Sequence, residues 1–150
     1  LNSTSFFRQR SELRFAQQST ITMPTLSGYY TSLSGRTLTI NDRDELTLLP
    51  RGKELHDQTK LRADGEFWLC RDDGRVGKFG NPTKAILHIK GQGYHIWVEP
   101  RGFSNGMTEY GLVPILPQHE YSNTFLAVND LDQLDIVGQW GAEAKFRCFE

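Results

Sequence analysis

Net charge is almost absent from this 150-residue chain: Lys+Arg 17 stand against Asp+Glu 18, a formal balance of -1. No global field draws nucleic acid or an acidic membrane, so any recognition of an anion has to be local. Long apolar runs are missing as well. Stretches such as Leu112-Val113-Pro114-Ile115-Leu116 fall far short of a bilayer span. Histidines are few, and His56, His88, His95 and His119 show no ligand spacing, so no metal is expected. Gly91-Gln92-Gly93 lacks the third glycine and the helix of a dinucleotide loop, and no cofactor is expected either. Cysteine is scarce: Cys70 and Cys148 lie far apart without a Cys-x-x-Cys. They fit two reduced thiols in the cytoplasm, the preferred expectation, or one disulfide in a secreted protein. The opening Leu1-Asn2-Ser3, with no basic-then-apolar leader, fits an excised domain or a processed chain. Asn2-Ser3-Thr4 is formally a glycosylation sequon, a triplet common by chance.

What is present is turn and strand. Phe6, Leu13 and Phe15 among Arg8, Arg10, Glu12 and Arg14 form a rough helical stripe that predicts a helix over Thr4 to Gln18. Tyr29 to Leu33, the link Ser34-Gly35, and Thr37 to Ile40 predict a hairpin. Asn41-Asp42-Arg43-Asp44 is a further turn before Leu46 to Leu49, and Pro50-Arg51-Gly52 breaks the run. A boundary placed there divides a 1–52 N-terminal extension from a 53–150 domain. Beyond it, strands are expected at Gln58 to Leu61, Phe67 to Arg71, Ala85 to Lys90, Tyr94 to Glu99, Leu112 to Leu116, Thr124 to Val128, Leu134 to Val137 and Ala144 to Phe149. Turns such as Gly91-Gln92-Gly93, Pro100-Arg101-Gly102 and Asn129-Asp130 separate them. Short strands without intervening helices predict an all-β, antiparallel sandwich or barrel. Alternation puts Tyr94, Ile96 and Val98 on one face and His95 and Trp97 on the other.

Three turns along this region carry a cation, a hydroxyl and an amide. These are Phe67-Trp68-Leu69-Cys70-Arg71, then Thr83-Lys84-Ala85-Ile86, and then Ser104-Asn105-Gly106 after Tyr94-His95-Ile96. Near the end stand Asn129-Asp130 and Leu134-Asp135-Ile136-Val137-Gly138. The order of these pieces resembles a forkhead-associated (FHA) domain, the phosphothreonine-binding β-sandwich of signalling proteins. The family carries Gly-Arg, then Ser-Arg-x-His, then Asn-Gly. Here Cys70, Thr83, Lys84 and Ile86 replace the family's Gly, Ser, Arg and His, so the member is a degenerate one. The resemblance implies an FHA-like sandwich and a phosphopeptide site of Arg71, Thr83, Lys84, Ser104 and Asn105. Arg71 would fork onto phosphate oxygens, Thr83 and Lys84 would add a hydroxyl and a charge, and Asn105 would hold the peptide backbone. Ile86, in place of a bracing histidine, would pack into the core. Set against this, an Arg after a strand is usually a solvated charge, and Ser-Asn-Gly is a common turn.

Three functions stay open: a phosphothreonine-peptide module, an FHA-like scaffold that binds protein without phosphate, and a secreted β-sandwich of lectin or pilus type with Cys70 and Cys148 joined. The expected partner is a phosphothreonine-containing or other protein, with no nucleic acid and no membrane span. Trp68, Trp97 and Trp140 read as core or sheet-face residues. Gly102-Phe103-Ser104-Asn105-Gly106 matches a nucleophile elbow, but an elbow needs a helix immediately after it in a large α/β fold. Here Pro114 and Pro117 follow, only His119 remains downstream and the rest of the chain is too short for such a fold, so no enzyme is expected.

Overall fold

A computed structural model describes residues 26–56, 59–63, 68–72, 84–116 and 122–150. Eleven strands run through them in chain order. They are β1 (Leu26–Ser32), β2 (Leu38–Ile40), β3 (Leu46–Leu48), β4 (Leu61–Ala63), β5 (Leu69–Arg71), β6 (Leu87–Ile89), β7 (Gln92–Ser104), β8 (Met107–Ile115), β9 (Phe125–Val128), β10 (Leu134–Val137) and β11 (Phe146–Phe149). One 3-10 turn, Ala142–Ala144, precedes β11. The all-β antiparallel expectation is met. Seven strands form one sheet in the order β5-β4-β1-β11-β8-β7-β6, and the hairpins β2–β3 and β9–β10 make two smaller sheets. The helix expected over Thr4 to Gln18 lies outside the described residues.

The large sheet curls until its ends meet. Ala85 N–H donates to Leu69 O at 2.9 Å, and bridges join Cys70 to Lys84 and Trp68 to Trp97. Period-two alternation then sorts the side chains. Leu69, Leu87, Ile96, Val98, Leu112 and Phe146 point into one inner core, closed over by Leu38, Ile40 and Leu46 from β2–β3 and by Leu126 and Val128 from β9. The opposite face builds a second, outer cluster of Val113, Ile115, Phe125, Ala127 and Ala144, with Trp68, Trp97, Val137 and Trp140 against it. All four residues of β9 are buried because its two faces serve different clusters. The alternation read in Tyr94 to Val98 matches this arrangement: Ile96 and Val98 are inside, and Trp97 lies in the outer cluster.

Several expectations need correction. The boundary at Gly52 does not divide the fold. β1 lies between β4 and β11, and Leu38, Ile40 and Leu46 belong to the inner core, so residues 26–52 are integral to it. Pro100-Arg101-Gly102 is not a turn but a bulge inside β7. Pro100 pairs with Tyr110 and Gly102 with Glu109, leaving Arg101 as the extra residue. The turn expected at Gly91-Gln92-Gly93 is centred one residue earlier, on Lys90 and Gly91, both left-handed, with φ 52 and 81. Ile86 is half-buried and works through its backbone: its carbonyl accepts from Leu46 N–H at 2.8 Å and its N–H donates to Asp44 O at 3.0 Å.

Closure leaves no room at the β1–β11 seam. A Cβ on Gly28 would press into the Phe149 carbonyl oxygen and stand 2.9 Å from Cys148 Sγ, whereas one on Gly138 would meet nothing within 4 Å. Gly28→Ala should therefore lower stability by about 1–3 kcal/mol or more through overpacking. Gly138→Ala should leave the chemical-denaturation midpoint unchanged.

Candidate functional site

Among the described residues, the expected phosphate ligands Arg71, Lys84, Ser104 and Asn105 do not form one site. Arg71 shares its face with Leu69, and its side chain is 3% exposed. Its Nη2 donates to Asn41 O at 2.5 Å and lies 3.4 Å from Asp44 Oδ1. The Asn41 side chain holds the same turn from within. Its Oδ1 accepts from Arg43 N–H at 2.8 Å and from Glu45 N–H at 3.0 Å, while Asp44 adopts a left-handed φ of 64. Arg71 is thus a buried brace between β5 and the β2–β3 turn. Thr83 lies outside the described residues. Lys84 places Nζ 5.0 Å over the Trp68 ring, a cation–π contact on the outer face. His95 packs edge-on to the same ring at 5.8 Å. Its pKa is lowered first by burial and then by the charge of Lys84.

Ser104 and Asn105 sit at the far end of β7. Arg71 lies level with the Tyr94–Ile96 part of that strand, through the Trp68–Trp97 bridge. Ser104 is eight to ten residues farther along, on the order of 20 Å away even with strand tilt and twist. Asn105 and Gly106 have φ 51 and 77, the left-handed pair that a tight two-residue hairpin turn requires. Asn105 occupies its place for that conformation. The stretch Gly102 to Gly106 accordingly runs from strand to strand, not from strand into helix.

Ser104 has its own partners. Its Oγ donates to Glu109 Oε2 at 2.6 Å and accepts from Arg147 Nη2 at 3.1 Å. Lys145 Nζ approaches Glu109 Oε1 at 3.5 Å. The hydrogen bond from Ser104, then the charges of Lys145 and Arg147, hold the Glu109 carboxyl below its ordinary pKa against the opposing effect of burial. This network fastens the β7–β8 hairpin to β11. A second one ties three turns together: Arg36 binds Asp132 and donates to Leu49 O at 3.2 Å, and Arg51 Nη2 reaches Asp132 Oδ2 at 3.2 Å. Neither network was foreseen. Arg36 and Asp132 are 96 positions apart, and no local pattern announces such a pair.

Cys70 and Cys148 are not joined. Cys70 is buried on the face opposite Leu69 and donates to Arg62 O at 3.5 Å. Cys148 lies across from Tyr30. Burial pushes its thiol up to about 11 and holds the hydrogen-bonded Tyr30 phenol far above its usual range, so both stay neutral. The tryptophans pack edge to face, Trp68 on Trp97 at 5.3 Å and Trp140 on Phe125 at 5.5 Å, with Arg101 over Phe125 and Trp140. Among the described residues, no helix is long and apolar enough to cross a membrane.

Comparison with protein-family models, curated proteins and solved structures finds no match in any of the three.

The Glu109 network makes a pH prediction. A carboxyl with a depressed folded-state pKa contributes stability that is present above its unfolded value, about 4.3, and is lost as pH falls through the folded value. Glu109→Gln should therefore flatten the acid limb of the stability–pH curve below about pH 4.5. Denaturant midpoints measured between about pH 2.5 and 7 would check this. An acid limb identical to that of the wild type would show that Glu109 carries no linkage.

Proposed function

We propose that this chain is an FHA-like interaction module that binds protein without phosphate, in place of a phosphothreonine reader. The observation that carries this reading is the burial of Arg71. It is the only planar cation among the five expected ligands, and its guanidinium already serves the Asn41 carbonyl and Asp44. A phosphate would have to displace those partners and enter a face shared with Leu69. Lys84, on the Trp68 ring, supplies a point charge without the fork geometry. The separation of Arg71 from Ser104 and Asn105 favours the same reading, since one peptide would have to bridge both ends of β7. Unjoined thiols suit a reducing compartment such as the cytoplasm.

The two readings differ in what Arg71 does. As a brace, Arg71→Ala removes one of the two donors to the half-buried Asn41 carbonyl, Asp44 N–H being the other, together with the packing of a buried side chain, and should cost about 1–3 kcal/mol of stability. A phosphothreonine peptide library should bind the wild type no better than its unphosphorylated counterpart. Calorimetric unfolding and fluorescence anisotropy measure the two effects. Phospho-dependent binders lost in an Arg71→Ala protein of undiminished stability would overturn the proposal.

A further inference from the structure

Four connecting segments converge at the end of β2–β3 away from the Arg71 brace, and they leave two adjoining clefts that differ in charge. The first, about 290 Å³, lies between the β1–β2 turn and the segment after β3. Among the described residues, its charged lining is Arg36, Arg51 and Lys53. The second, about 530 Å³, lies between the β1–β2 turn, the β9–β10 turn and the 3-10 turn, and carries Asp130, Asp132 and Glu143. Arg51 lines both. Asp132 is engaged by Arg36 and Arg51, and these hydrogen bonds and charges, led by that of Arg36, hold it ionised below its ordinary pKa. The arrangement is therefore fixed in place, yet the Arg51 side chain remains 68% exposed. Each cleft also has an exposed leucine on its wall, Leu55 at 49% in the first and Leu33 at 43% in the second.

We propose that these paired clefts bind an extended peptide segment with an acidic residue in the Arg51–Lys53 cleft and a basic residue in the Asp130–Glu143 cleft. Apolar side chains of the same segment would lie against Leu33 and Leu55. The assignment rests on the interaction-module reading and names its partner chemistry. Charge complementarity selects the occupant. A polyanion such as nucleic acid would meet the carboxylates of the second cleft, where like charges disfavour wrong partners. A peptide with both signs satisfies both clefts. Its apolar residues cover exposed leucines that would otherwise stay in water.

The test is a random dodecapeptide library displayed on phage, unphosphorylated and panned against the whole chain at low salt. Enriched sequences should combine an acidic and a basic residue with intervening apolar residues. Synthetic, labelled versions should bind Arg51→Glu about tenfold more weakly, and should lose affinity as salt rises. Lys53→Glu, which leaves the Arg36–Asp132–Arg51 contacts intact, should weaken binding in the same direction. Lys53 is exposed and outside that network, so the Lys53→Glu unfolding midpoint should not move. Arg51→Glu sets a carboxylate beside Asp132 and should lower the midpoint slightly, leaving Lys53→Glu to separate lost binding from lost stability. Enriched peptides without acidic residues, or peptides that bind both variants as tightly as the wild type, would overturn the cleft assignment and leave the interaction reading standing. A library with no enrichment would overturn the assignment as well, whereas the interaction reading is decided separately by the phosphate comparison.

Discussion

One constraint governs this fold: a chain with many short strands must bury one face of each without leaving open edges. The sheet satisfies it by curling until the Leu69 carbonyl meets the Ala85 amide. Closure turns the Leu69, Leu87, Ile96 and Val98 side chains toward each other and toward β2–β3 and β9, so one inner core serves the whole described unit. It also sets the fate of every second residue. Trp68 and Trp97, on the opposite face, can be buried only if something covers them, and the outer cluster built on β9 and Trp140 packs against them. The remaining rim is protected locally: Asp135 Oδ1 accepts from Ile136 N–H at 2.8 Å on β10, turning a backbone donor toward its own strand.

Within that frame the cations work inward. Arg71 braces the β2–β3 turn, Arg36 joins the β1–β2 and β9–β10 turns through Asp132, and Arg147 with Lys145 holds Glu109 and the long hairpin. Each ties a turn to a strand or another turn from a distant part of the chain. Net charge is near zero, and among the described residues these cations are engaged within the fold. Arg51 and Lys53 remain exposed, with Leu55 and Leu33 on the walls of the clefts beside them. The functional reading moves there from the residues whose order resembled a phosphopeptide site.

Much of the fold was legible because strand alternation and turn chemistry are local. Ile96 and Val98 sort from His95 and Trp97 by period two, and Asn41 and Asn105 mark turns through their side-chain bonding and left-handed φ. The same rule, applied to β5, would have placed Arg71 on the buried face with Leu69; reading it as a surface charge overlooked that alternation. Pro100 and Gly102 read as a break because both punctuate loops, yet a bulge accommodates them within β7. The ion-pair networks were not legible at all. Their partners are brought together only by sheet closure, and sequence spacing contains no trace of that. The Gly52 boundary failed for a related reason: a Pro-Gly turn looks the same between domains as between strands of one core.

The central claim is that Arg71 is an internal brace, while Arg51 is offered to solvent. Phenylglyoxal modification of the native protein, followed by peptide mapping in a mass spectrometer, reads this directly. Arg51, 68% exposed, should be modified rapidly, and Arg71, 3% exposed, should react only once the chain is denatured. Equal rates at Arg51 and Arg71 in the folded protein would contradict the account.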